Sequence, residues 1–132
     1  YKTYFHGPSF QVLDGIVDAN RNEVVAVFKK PSTGLLGDKG FKCYFHPMII
    51  EALFQACGWR DIYIDNKMTL PDSIEKVSVI DNGEDPDMLY VYSVFKGLNN
   101  YGKSVYDAWA FDENGKIYAE LINYVMIGVN IL

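Results

Sequence analysis

The chain reads as an α+β domain: one long helix, apolar on almost every side, followed by about four antiparallel strands joined by turns. Three observations predict it. From Pro47 to Gly58 the only polar side chains are Glu51 and Gln55, and a helix that is hydrophobic all round belongs inside a core. Beyond Leu70-Pro71 the periodicity falls to two, with Leu89, Val91 and Phe95 alternating against Tyr90, Tyr92 and Val94, the pattern of a strand with two different faces. Finally, Asp81-Asn82-Gly83 and Asp112-Glu113-Asn114-Gly115 are strong hairpin signals between apolar runs.

At 132 residues the chain fits one domain, large enough to build a core without disulfides or metals. Ten tyrosines suit a strand-rich globule. The formal charge of −5 argues against nucleic acid as a partner, because neutralising phosphates requires a basic surface. No apolar run approaches the length of a membrane span, which makes a soluble, cytoplasmic protein the expectation. Cys43 and Cys57 lack zinc-ligand spacing and are expected as free thiols in a reducing compartment.

Taken in order, Tyr1–Phe10 is aromatic and looks like the continuation of preceding sequence rather than a polar, frayed start. Gly7-Pro8 marks a turn, and Ser9 is placed to cap a short helical turn running into Val12 and Leu13. Val24–Phe28 reads as a strand. The loop from Lys29 to Gly40, with three glycines, is long enough to mark a functional segment. The central helix starts at Pro47, a residue favoured in a first turn; Gly58 is a point where it bends or ends. Strands are expected over Ser73–Ile80, Met88–Phe95, Ser104–Phe111 and Lys116 to about Ile127, with the aromatic pairs Tyr90/Tyr92 and Trp109/Phe111 placed in the core. An antiparallel sheet wrapped around one long apolar helix is the hotdog architecture.

Glu51 and Gln55, four apart, share one helix face. Glutamate is almost never fully buried without a partner, so this acid is either paired structurally, by an arginine or tyrosine, or has chemical work to do.

Three short motifs then occur in a telling order. Thr3-Tyr4-Phe5-His6-Gly7-Pro8-Ser9-Phe10 is similar to a Gly-Tyr-x-Tyr-Gly-Pro-x-Phe pattern. His46-Pro47 followed by Glu51 and Gln55 is similar to His-Pro, three residues, then Asp-x-x-x-Gln or His. Leu70-Pro71-Asp72-Ser73-Ile74 is similar to a Leu-Pro motif, and Tyr106-Asp107-Ala108, Asp112–Gly115 and Ala119-Glu120-Leu121 to a closing hairpin. In these features, which cover nearly the whole chain, the sequence resembles the C-terminal hotdog of the double-hotdog dehydratase domains of polyketide and related fatty-acid synthases. The Glu51-Ala52-Leu53-Phe54-Gln55 run also resembles the helix of single-hotdog dehydratases that act on β-hydroxyacyl carrier proteins.

The resemblance implies removal of water from a β-hydroxyacyl thioester held on the phosphopantetheine of an acyl carrier protein, with no other cofactor and no metal. Such a reaction needs a base for the α-proton and an acid for the departing hydroxyl. Histidine suits the first role, and a carboxylic acid kept protonated in a dry tunnel suits the second. The resemblance assigns the acid to Glu51 and its positioning to Gln55, although the nearby helix N-terminus favours a carboxylate.

Tyr4, His6, Gly7, Pro8, His46 and Pro47 fall in the motifs that border the substrate. One of Tyr4 and His6 would meet the substrate hydroxyl or the acid; alternatively Tyr4 packs and His6 bonds a backbone carbonyl, and His46 merely begins the helix. Lys29, Lys30, Lys39 and Lys42 flank the Gly-rich loop, either simply solvated or facing a phosphate or an acidic carrier protein. One departure is large. The family's catalytic histidine lies in a His-x-x-x-Gly-x-x-x-x-Pro motif of the N-terminal hotdog, and neither His6 nor His46 has glycine four residues on. The base is therefore expected from another hotdog, in cis or in trans, and a dimeric arrangement is expected. Alternatives are a hotdog thioesterase, a double hotdog that directs cyclisation, or a non-catalytic acyl-binding or dimerisation hotdog.

Overall fold

The computed structural model describes residues 13–29, 47–80, 86 and 88–129. Strands β1 (Leu13–Ala19) and β2 (Glu23–Lys29) form a hairpin. Helix α1 (Pro47–Tyr63) follows, and then β3 (Thr69–Val79), β4 (Met88–Leu98), β5 (Ser104–Phe111) and β6 (Ile117–Gly128). Among the described residues all pairings are antiparallel, in one six-stranded sheet of order β1-β2-β4-β5-β6-β3. The helix lies on one face of this sheet, as the hotdog expectation requires.

Period-two patterning builds that face. In β2 the buried residues are Val24, Ala26 and Phe28; in β5 they are Ser104, Tyr106, Ala108 and Ala110. Opposite them α1 buries Ile49, Ala52, Leu53, Ala56, Cys57 and Gly58. Small side chains on both surfaces let helix and sheet close at interior packing density. Gly58 does not end the helix but sits buried within it. Cys57 is a buried free thiol.

Two tight turns of the same chemistry join β4 to β5 and β5 to β6. In Asn99-Asn100-Tyr101-Gly102-Lys103 the Asn99 Oδ1 accepts from the N–H groups of Tyr101 and Lys103. In Asp112-Glu113-Asn114-Gly115-Lys116 the Asp112 Oδ1 accepts from those of Asn114 and Lys116. Gly102 and Gly115 take φ values of 73° and 82°, the left-handed conformation that glycine adopts freely. The Lys116 N–H, first among several contacts, holds the Asp112 carboxyl below its ordinary range.

Three expectations are corrected. The segment from Leu13 to Ala19, for which no element was expected, is a strand, β1, while the helical turn expected from Ser9 lies outside the described residues but for Leu13. Strand β3 begins at Thr69, so Pro71 lies inside a strand; as an edge strand β3 tolerates the missing N–H, and its ladder is irregular between Pro71 and Ser73. The aromatic pairs are not in the core. Tyr90 stacks on Phe111 and Tyr92 on Trp109, with centroids 5.8 and 5.9 Å apart. These residues alternate with the buried ones in β4 and β5 and are half-buried on the face away from the helix. Cross-strand aromatic stacking stabilises that outer face.

Candidate active site

Glu51 lies in the second turn of α1 and is half-buried; Gln55, one turn on, is 2% exposed. The Gln55 Nε2 donates to Glu51 Oε1 across 3.1 Å. That bond restricts the rotamer of the Glu51 carboxyl. Between them Phe54 packs on Tyr124 of β6, ring centroids 4.9 Å apart, which braces this turn against the sheet.

Of the other residues picked out in the sequence, Pro47 is the first residue of α1 and stands one turn before Glu51. It is half-buried. Lys29 ends β2 and is exposed. Tyr4, His6, Gly7, Pro8 and His46, with Lys30, Lys39 and Lys42, lie outside the described residues. The structure therefore brings Pro47, Glu51 and Gln55 onto one helical segment.

A second polar group, not singled out in the sequence, occupies the far end of the same helix. Arg60 and Asp61 are 2% and 0% exposed. The Asp61 carboxylate accepts from the Tyr106 hydroxyl on one oxygen and from Thr69 Oγ1, at 2.9 Å, on the other. Arg60 Nε donates to the Arg21 carbonyl at 2.9 Å, its Nη1 pairs with Asp65 and lies 3.5 Å from Asp61, and its guanidinium sits 3.5 Å from the centre of the Phe95 ring. Burial pushes the Cys57 thiol well above its ordinary value, with the Asp61 and then Asp107 carboxylates adding to the shift. Burial likewise raises the Tyr106 phenol, again reinforced by Asp61. Such a pair of adjacent charges looks like a solvated helix end in sequence.

Glu51 and Asp61 are ten residues apart, about 15 Å along the axis. The two acids are thus separate: one is enclosed by donors from two strands and the neighbouring arginine, the other is half-buried beside an amide.

A family model described as polyketide synthase dehydratase N-terminal domain matches residues 1–129. The chain belongs to the polyketide synthase dehydratase family. Solved dehydratases share its architecture. The crystal structure of an inactive mutant of the CurJ dehydratase, in complex with a small compound, is 25% identical with a TM-score of 0.73, over 94% of this chain and 43% of that one. The dehydratase domain of PpsC from Mycobacterium tuberculosis is 18% identical with a TM-score of 0.75, over 96% of this chain and 45% of that one. For the RzxB dehydratase domain from Pseudomonas fluorescens the values are 18% and 0.70, over 92% and 42%; likeness at these two lower identities concerns the fold. The chain spans less than half the length of each of these dehydratase structures. No curated protein matches it.

Proposed function

We propose that this chain is the acid-bearing half of a dehydratase that removes water from a β-hydroxyacyl thioester on an acyl carrier protein. Glu51 protonates the departing β-hydroxyl, Gln55 holds the carboxyl in place, and a histidine of a second hotdog takes the α-proton. The observation that carries this reading is the Gln55–Glu51 hydrogen bond on a half-buried turn of the central helix.

The family model's description names an N-terminal domain; the reading as the second, C-terminal half rests on the helix motif and on the lack of His-x-x-x-Gly-x-x-x-x-Pro in the sequence. The shape of the protein supports a partner hotdog. β3 is an edge strand, exposed from Leu70 to Val77, and long exposed edges offer unpaired backbone groups to another strand. Ile74 and Val77 on this edge are 36% and 45% exposed beside the buried Tyr124 and Leu121. On the outer side of α1, Trp59 stacks on Tyr63, which is 56% exposed. The carrier protein, the phosphopantetheine-borne substrate and a cytoplasmic setting belong to the same proposal; among the described residues no helix is long and apolar enough to cross a membrane.

The test is Glu51→Gln in the intact protein that carries this sequence, assayed on a β-hydroxyacyl thioester for enoyl product. Loss of general-acid catalysis predicts a rate lower by about 10²–10⁴ with the melting temperature kept. Full turnover in the variant overturns the acid assignment, and release of free acid in place of enoyl product identifies a thioesterase.

A further inference from the structure

Helix α1 has a problem that its apolar surface cannot solve. Hydrophobic burial is non-directional, and this helix carries apolar side chains all round, with small residues Ala52, Ala56 and Gly58 among those buried against the sheet. Apolar contact alone fixes its rotation and its place along the sheet less sharply than directional bonds do. The reaction proposed above requires a carboxyl held at one place.

From the geometry we infer that the Arg60–Asp61 cluster is the device that fixes the rotation and axial position of α1, and so positions Glu51 about 15 Å away. Its bonds are directional, and they reach four different parts of the fold. Asp61 is tied to β5 through Tyr106 and to the start of β3 through Thr69. Arg60 is tied to the β1–β2 turn through the Arg21 carbonyl, and its guanidinium covers Phe95 of β4. The main chain joins in, since the Asp61 carbonyl accepts from the Lys67 N–H at 2.9 Å. A turn of the helix would break all of these together. The energetics point the same way. Enclosed ion pairs contribute little net stability against apolar replacements of similar volume, and their best-attested use is to select one register among several. Arg60 and Asp61 are therefore positioning residues. The kinetic side of this inference rests on the dehydratase reading; the structural side stands without it.

The experiment replaces the cluster rather than breaking it: Arg60→Met, Asp61→Leu, Thr69→Val and Tyr106→Phe together, in the intact protein. Three measurements are made, the melting temperature, hydrogen–deuterium exchange of the α1 amides, and the kcat and KM of dehydration. The expected result is a melting temperature held or raised, and α1 exchange faster by about tenfold. The kcat falls by about tenfold to a hundredfold, the scale of an ångström-sized misplacement, with KM little changed. A variant that melts as the parent does, with α1 exchange and kcat both unchanged, overturns the proposal and leaves the cluster a matter of stability alone. If the fourfold variant does not fold, Thr69→Val and Tyr106→Phe made singly carry the test. Each removes one hydroxyl donor from Asp61, and unchanged α1 exchange in both overturns the proposal. A parent protein without dehydratase turnover refutes the functional reading, while the exchange measurement still decides this one.

Discussion

At the C-terminal end of α1 a carboxylate is wholly enclosed, and its donors come from β3, β5 and the neighbouring arginine. At the N-terminal end a carboxylate is half-buried, and its amide partner stands on the same helix one turn away. The first arrangement commits the acid to the fold. The second keeps it oriented while part of its surface still faces outward. Two acids on one helix thus differ in how far they are enclosed, and the half-buried one is the one to which we assign the meeting with substrate.

The comparison can be broken by measurement. The largest expected effect is from Asp61→Ala, which takes the acceptor from the buried Tyr106 and Thr69 hydroxyls and leaves Arg60 with Asp65 and the Arg21 carbonyl alone; about 3–5 kcal/mol of stability is lost, read from urea midpoints. Tyr106→Phe removes one donor while Thr69 remains, and about 1–3 kcal/mol is expected. An alkaline titration comes next. The Cys57 thiol and Tyr106 phenol are both raised by burial in the folded state. The unfolded chain therefore loses these protons first, from about pH 8.5 for a free thiol. The stability they support is complete below that pH and declines as pH rises. Cys57→Ala should flatten the first part of that decline, and an unchanged slope would contradict the assignment. The smallest effect is from Glu51→Gln, a change within about 0.5–1 kcal/mol despite its large effect on turnover. If that variant is destabilised as strongly as Asp61→Ala, the distinction between the two ends collapses.

Much of this was legible in the sequence because single-element patterns carried it. The apolar run from Pro47, the period-two strands β4 and β5 and the Asp112–Gly115 turn each declare themselves locally, and Glu51 and Gln55 meet because four residues make about one helical turn. Strand β1 did not, since its burial recurs every third residue. Irregularities between Leu13 and Gly15 and between Ile16 and Asp18 in its pairing with β2 shift the alternation at each step. The outer-face position of Tyr92 and Trp109 was hidden for another reason, since an alternating strand of apolar residues does not say which of its two faces meets the helix. The Asp61 cluster was illegible because its members, Arg21, Thr69, Phe95 and Tyr106, are far apart in sequence, and nothing local pairs them.

The twin turns at Asn99–Lys103 and Asp112–Lys116 have a consequence for how the chain reaches its fold. They link β4, β5 and β6 by local contacts that close small loops, whereas β3 must find β6 across that whole meander and α1 must dock on strands from both sides of it. Local contacts form fastest. The meander is the natural nucleus, with helix docking late. In stopped-flow experiments, substitutions at Gly102 or Gly115 should then slow refolding, whereas substitutions at Asp61 should mainly hasten unfolding. The same residue that holds the helix in register would set how long the finished protein lasts.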